Sequence, residues 1–283
     1  MRKKGLMLFG VFILLAVTVV PALAVTDGEP DAGRHPFVGL MVAQAANGNP
    51  LWRCSGTLLS DTIFLTAGHC TEAPADHVEV WFADGPIPLA SGYPAPGANR
   101  CAGISGYPCT GDTGGQPFTH PQYDPNAFFL HDLGVVVLDT PVVMSKYGAV
   151  PTLGQLNSLK TRRGHQDVTF TAVGYGLQKS FPDAASWKNS AIRQRMLATP
   201  YLIQINGGIV GDFSLLLSNN AYSGGTCFGD SGGPNFIGSG PTETNVIAGV
   251  TSFGLNGNCA GTGGVYRIDQ ADDLEWLATF GVP

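Results

Sequence analysis

Three short segments hold side chains that could carry covalent chemistry. Leu65-Thr66-Ala67-Gly68-His69-Cys70 puts an imidazole at the end of an apolar run, beside a cysteine. His131-Asp132-Leu133-Gly134-Val135-Val136-Val137-Leu138 leads from a carboxylate straight into an apolar run. Gly229-Asp230-Ser231-Gly232-Gly233-Pro234 sets a hydroxyl in a glycine-rich loop. Singly, each has a plainer reading: a packed core histidine, a turn-forming aspartate, a serine in a loop. Together they answer one chemical need. A serine hydroxyl is a weak nucleophile until a histidine takes its proton, and that histidine needs a carboxylate to fix its tautomer and stabilise its charged form. Glycines around the serine leave backbone N–H groups free to face a developing oxyanion. Asp139, in the same strand region as Asp132, is the rival acid.

Chain order narrows the choice. Gly229-x-Ser231-x-Gly233 also fits the nucleophile elbow of α/β-hydrolases, in which the histidine follows the serine. The last histidine here is His165, so that reading fails. An Asp–His–Ser order would need an acid before His69 and alternating helices that the chain lacks. The order His69, Asp132, Ser231 remains.

The elements that must position these groups read as strands. Short β-type runs cover Phe37–Val42, Gly56–Leu59, Thr62–Thr66, His77–Phe82, Gly134–Leu138, Val168–Val173, Val246–Ser252 and Gly264–Ile268. Each is bounded by Gly, Pro, Asn or Asp, the pattern of an all-β sandwich or barrel. Residues 83–126 read as a Gly/Pro-rich excursion with its own small disulfide, Lys160–Gln166 as a linker, and Asp269–Phe280 as a short amphipathic helix. Composition agrees. The chain has 283 residues, with 39 Gly, 20 Pro and only 13% charged residues, about half the usual share. That excludes disorder and long coiled coils. The net charge of -6 excludes a general nucleic-acid binder.

Met1-Arg2-Lys3-Lys4, an apolar run from Leu6 to Val20, and Pro21-Ala22-Leu23-Ala24 make a secretory signal, residues 1–24, with a cut expected after Ala24. The mature protein is then exported, extracellular or periplasmic, with no membrane contact. Six cysteines in such a compartment read as three disulfides with 15 connectivities. Their clustering suggests Cys54–Cys70, Cys101–Cys109 and Cys227–Cys259. No C-x-x-C pair exists, so neither a metal nor another cofactor is expected. The carboxylates of Asp27-Gly28-Glu29-Pro30-Asp31 read as solvated surface.

These motifs, with Thr251-Ser252-Phe253-Gly254 before Cys259, Gly264-Val265-Tyr266 and the terminal helix, resemble the chymotrypsin/trypsin family of serine proteases over nearly the whole mature chain. The resemblance implies two six-stranded antiparallel β-barrels, here 25–150 and 151–283, with a short C-terminal helix. It implies a secreted endopeptidase in which Ser231 is nucleophile, His69 general base then acid, and Asp132 the orienting carboxylate. Gly229 and Ser231 would supply the oxyanion N–H groups. Departures are Gly68 for the usual Ala, Phe253 for the usual Trp, and a longer stretch between His69 and Asp132. Protein or peptide substrates, and protein inhibitors, would be the partners of an expected monomer.

Two finer expectations follow from the resemblance. Asp230 would receive an ion pair from the amine of Val25, freed by signal cleavage itself. Gly225, Ser252, Phe253, Gly254 and Gly264 would shape the substrate pocket. With no carboxylate at Gly225, that pocket favours Phe, Tyr, Leu or Met on the acyl side. The alternatives are an inactive family member acting as a binding protein or adhesin, and an esterase using the same triad.

Overall fold

The computed structural model describes residues 25–162, 164–179 and 192–282; the expected signal segment lies outside them. The chain is built from strands β1 (Glu29–Pro30), β2 (Val38–Gln44), β3 (Pro50–Leu58), β4 (Ile63–Thr66), β5 (His77–Trp81), β6 (Thr113–Thr119) and β7 (Gly134–Leu138). It continues with β8 (Phe170–Gly174), β9 (Met196–Ala198), β10 (Leu202–Gln204), β11 (Ser214–Asn219), β12 (Pro234–Ile237), β13 (Ile247–Gly254) and β14 (Gly261–Arg267). Two helices matter here: one turn, α1 (Gly68–Thr71), and the terminal α2 (Ala271–Ala278).

Strands β2-β3-β4-β7-β6-β5 close into an antiparallel barrel. The second sheet is ordered β1-β9-β8-β12-β13-β14-β11-β10. It is eight-stranded and open where a second six-stranded barrel was expected, because β1 and β9 add to the β8 side. Its six remaining strands nonetheless curl round, and the ends meet at the Thr169–Tyr201 bridge. All three disulfides pair as their clustering suggested.

One cluster of buried apolar residues crosses between the sheets, beside a separate one inside the second sheet. The first runs from Val78, Val80 and Val136 through Phe37 and Phe236 to Ile247 and Val250. Each such side chain contributes roughly 1.5–3 kcal/mol by leaving water. A polar clamp fixes the register of the sheets across this core. Arg195 is buried and donates to Asp31 Oδ2 (2.9 Å), Val38 O and Phe82 O. His35 bonds Asp31 through Nδ1 and Glu243 through Nε2 (2.8 Å), and Thr171 Oγ1 donates to Glu243. Buried charges are tolerated when paired and bonded in this way. Burial opposes protonation of His35, but its two carboxylate partners outweigh that and raise its pKa.

Candidate active site

His69 sits on α1, the single turn that follows β4. Cys70 ties that turn to β3 through Cys54, and Trp52 Nε1 donates to Cys70 O at 2.9 Å. Asp132 lies at the entry to β7, is fully buried, and accepts from His69 twice over. The His69 backbone N–H reaches Oδ1 at 2.9 Å, and Nδ1 lies 3.0 and 2.9 Å from Oδ1 and Oδ2. Ser252 Oγ completes the set, donating to Asp132 Oδ2 at 2.5 Å. With Nδ1 held by the carboxylate, Nε2 is the ring nitrogen left to face the cleft. Burial works against the imidazolium, yet the charge and hydrogen bond of Asp132 outweigh it, so the His69 pKa is raised. Asp139 is remote from this group: it is exposed and acts on His77 instead.

Ser231 lies in the turn before β12, and β3 of the other sheet anchors that turn. Ser55 N donates to Ser231 O at 2.7 Å, and Ser55 Oγ donates to Gly229 O at 2.9 Å. Gly232 has φ +76°, and a Cβ there would stand 2.0 Å from Thr66 Oγ1. Only glycine permits this approach of the serine loop to the histidine's strand. Ser231 and His69 line one cleft of about 380 Å³ with Trp52, Arg53, Cys54, Phe228 and Gly229. Among the described residues, the N–H groups of Gly229 and Ser231 donate to no protein acceptor.

Beside the cleft, Ser231 also borders a cavity of about 330 Å³. Its walls include Ser252, Phe253 and Gly254, and also Asn219, Thr226 and Phe228. No carboxylate faces it among the described residues. Gly225 and Gly264 lie behind this lining. Gly225 backs onto Asn219, and the Phe253 ring covers Gly264, leaving 2.4 Å to any Cβ there. Asn219 was missed by sequence reasoning. It closes β11, where the run Leu215-Leu216-Leu217-Ser218 gave no sign that the last residue would turn inward. Its Nδ2 donates to Thr226 O at 2.7 Å, and its Oδ1 accepts from Thr26 Oγ1 at 2.6 Å.

Asp230 is fully buried and accepts from Gly176 N (2.7 Å) and Cys227 N (2.9 Å). Burial outweighs these donors and pushes its carboxyl up to about 7. It forms no ion pair with a side chain among the described residues. The segment after Ala24 is held close by in sequence terms: Gly225 N donates to Thr26 O at 3.0 Å, five residues before Asp230. Val25 is buried against Met196 and Ala198.

Comparison with known proteins identifies the family. The chain is 25% identical over 260 residues to phenoloxidase-activating factor 3 of Holotrichia diomphalia, covering 88% of this chain and 70% of that protein. It is 25% identical to a chymotrypsin of Phaedon cochleariae, covering 92% and 83%. Against serine protease 7 of Drosophila melanogaster it is 28% identical, covering 79% of this chain but 56% of that protein. A solved structure of HL collagenase shares the fold, with a TM-score of 0.64 and 17% identity over 92% of this chain and all of that one. No helix among the described residues is long and apolar enough to cross a membrane. The model of the family described as Trypsin matches residues 28–274, most of the chain, and the chain therefore belongs to the trypsin family.

Proposed function

We propose that the protein is an exported serine endopeptidase acting on protein substrates through an acyl-enzyme. The observation that carries this reading is the Asp132 carboxylate gripping His69 Nδ1, with Ser231 on the same cleft. Ser231 Oγ attacks the scissile carbonyl while His69 Nε2 takes its proton. The imidazolium is stabilised by Asp132, and the proton then passes to the leaving amine. The Gly229 and Ser231 N–H groups receive the oxyanion. Water, activated by the same imidazole, releases the acid product. Ester turnover by the same groups is the side activity this chemistry allows.

The cavity beside Ser231 takes the side chain on the acyl side of the bond. Its neutral floor of Asn219 and Thr226 supports Phe, Tyr, Leu or Met over Lys or Arg, since a buried cation would lack a partner there. Chromogenic peptides ending in Phe or Arg test this. Faster turnover of Phe is expected, and a preference for Arg would overturn it. Loss of all turnover in Ser231→Ala separates an enzyme from an inactive binding protein.

Signal cleavage completes the site in this reading. A freed Val25 amine supplies the cation that the buried Asp230 lacks, and Thr26 is already held on the segment leading to it. Val25 has φ +56°, costly for a β-branched residue that follows a carbonyl; cutting after Ala24 removes that carbonyl. A paired α-ammonium has a pKa raised above its usual value near 7.7–8.0. Its stabilisation is full below that value and is lost as pH rises through the folded pKa.

A further inference from the structure

Behind the candidate triad, on the side away from the cleft, α2 docks against the loop that carries Asp132. His120 follows β6 and His131 immediately precedes Asp132. Their rings lie within 8° of parallel with centroids 5.2 Å apart. Asp272 and Asp273 come from the first turn of α2. His131 Nδ1 lies 3.2 Å from Asp272 Oδ2, and His120 Nε2 lies 3.8 Å from Asp273 Oδ1. One potential ligand atom from each of the four residues falls within 4.8 Å of the others.

The arrangement is not explained by its own hydrogen bonds. His131 Nδ1 is shielded from solvent and, despite the short distance to Asp272, is not oriented to hydrogen-bond it. His131 is held at φ +50°, an uncommon backbone for a non-glycine residue, and that turn is what brings its ring to α2. Asp273 is fully buried and receives Tyr266 OH at 2.9 and 3.1 Å. Two imidazoles and two carboxylates are donors suited to zinc-class ions. The two rings are stacked, so at least one must turn about its side-chain torsions for both imidazoles to bind one ion through in-plane lone pairs.

We propose that His120, His131, Asp272 and Asp273 bind one divalent transition-metal ion of the zinc class, clamping α2 to the Asp132 loop. This departs from the expectation of a metal-free chain. Surrounding groups fit the role. Tyr266 orients Asp273 from behind, as outer partners of metal ligands do, and the Trp276 ring edge closes over His120. His120 Nδ1 accepts from Gln122 N at 3.3 Å. Metal on Nε2 moves the ring proton to Nδ1 and gives up this long bond.

Binding would also reach the reaction, a consequence that rests on the proposed protease reading. Four ligands at about 2.1 Å from one ion are roughly 3.4 Å apart, so the cluster must contract. His131 is bonded directly to Asp132 in the chain, and contraction draws it toward α2. The ion is therefore expected to slow turnover.

The test uses the full chain beginning at Val25. Zinc binding is measured by equilibrium dialysis, and cobalt binding by its visible spectrum, for wild type, His69→Ala, His131→Asn and Asp272→Asn. Asparagine tolerates a positive φ and Asp272 is only half-buried, so both variants should fold, which melting curves check. One ion per chain is expected in wild type and His69→Ala, with at least tenfold weaker binding in the other two. No bound ion, or binding lost in His69→Ala and kept in His131→Asn, would overturn the site. Zinc should lower turnover of wild type and leave Asp272→Asn unaffected. Binding with unchanged turnover would overturn the coupling, whereas a metal-free protein without turnover would overturn the protease reading and leave the site standing.

Discussion

Asp132 and Asp230 are both fully buried carboxylates within the same site, yet one is complete and the other is not. Asp132 receives the His69 backbone N–H, the His69 ring and Ser252 Oγ. Asp230 receives two backbone N–H groups and is pushed up to about 7. Desolvation costs several kcal/mol for a buried charge unless opposite charge and donors offset it. The first carboxylate is thus finished by the fold alone. The second needs a cation, and in the proposed reading that cation does not exist until the chain is cut. In that reading, latency resides in the Asp230 carboxyl, on which the Arg53 charge acts too weakly to offset burial, while Asp132 and His69 are already bonded.

The largest expected effect breaks the complete carboxylate. Asp132→Asn keeps the shape but lets His69 take the wrong tautomer, and kcat should fall by about ten-thousandfold. The pH profile sharpens this. His69 must be neutral to act, so kcat/KM should fall as pH drops below its pKa, which Asp132 holds above the ordinary 6.5. In Asp132→Asn the remaining activity should decline only at lower pH.

Breaking the incomplete one comes next. A chain carrying one extra residue before Val25 places an uncharged peptide group where the amine belongs. Loss of a buried pair's partner costs about 3–5 kcal/mol, so activity should fall by roughly 10² to 5 × 10³-fold. Full activity in that variant would overturn the activation reading. The same extended chain should show a stability signature. The Asp230 carboxyl has a folded pKa of about 7 against an ordinary 3.8, so its contribution is favourable at low pH. It is lost as pH rises from about 4 to 7. Melting temperature should decline over that window, and Asp230→Asn in the same chain should remove this part of the decline.

The smallest effect concerns Ser252. Its hydroxyl is a single bond to a charged acceptor, and removing it costs about 1.5–3 kcal/mol. Ser252→Ala should lower kcat by about tenfold or somewhat more, with less change in KM. An unaltered kcat would show that the His69 contacts alone hold Asp132.

Much of this was legible in the residues. The His69, Asp132 and Ser231 segments each join a strand signal to a group with chemistry, and the cysteines cluster near the segments they brace. The strands that escaped are β1, β6, β9, β10, β11 and β12; β11 and β12 were overlooked between turn signals, whereas in others the local chemistry speaks against pairing. Strand β6 contains Gly114, Gly115 and Pro117, which read as loop. Yet Pro117 pairs only with Val136 of β7, beyond the last β5 partner, where its missing N–H is harmless. Strands β9 and β10 are three residues each, too short for periodicity. Partners across the chain were hidden for another reason: Ser252 on Asp132, Asn219 under the pocket and Arg195 on Asp31 are set by tertiary packing, which no local pattern encodes.

The central claim is that Ser231 is a nucleophile activated by His69 and Asp132 in the chain that begins at Val25. Mass spectrometry after treatment with an organophosphonate tests it most directly. One adduct per chain, on the peptide that contains Ser231, absent from Ser231→Ala and strongly slowed in Asp132→Asn, is the result predicted. An unlabelled mature chain, or an adduct that persists in Ser231→Ala, would contradict it.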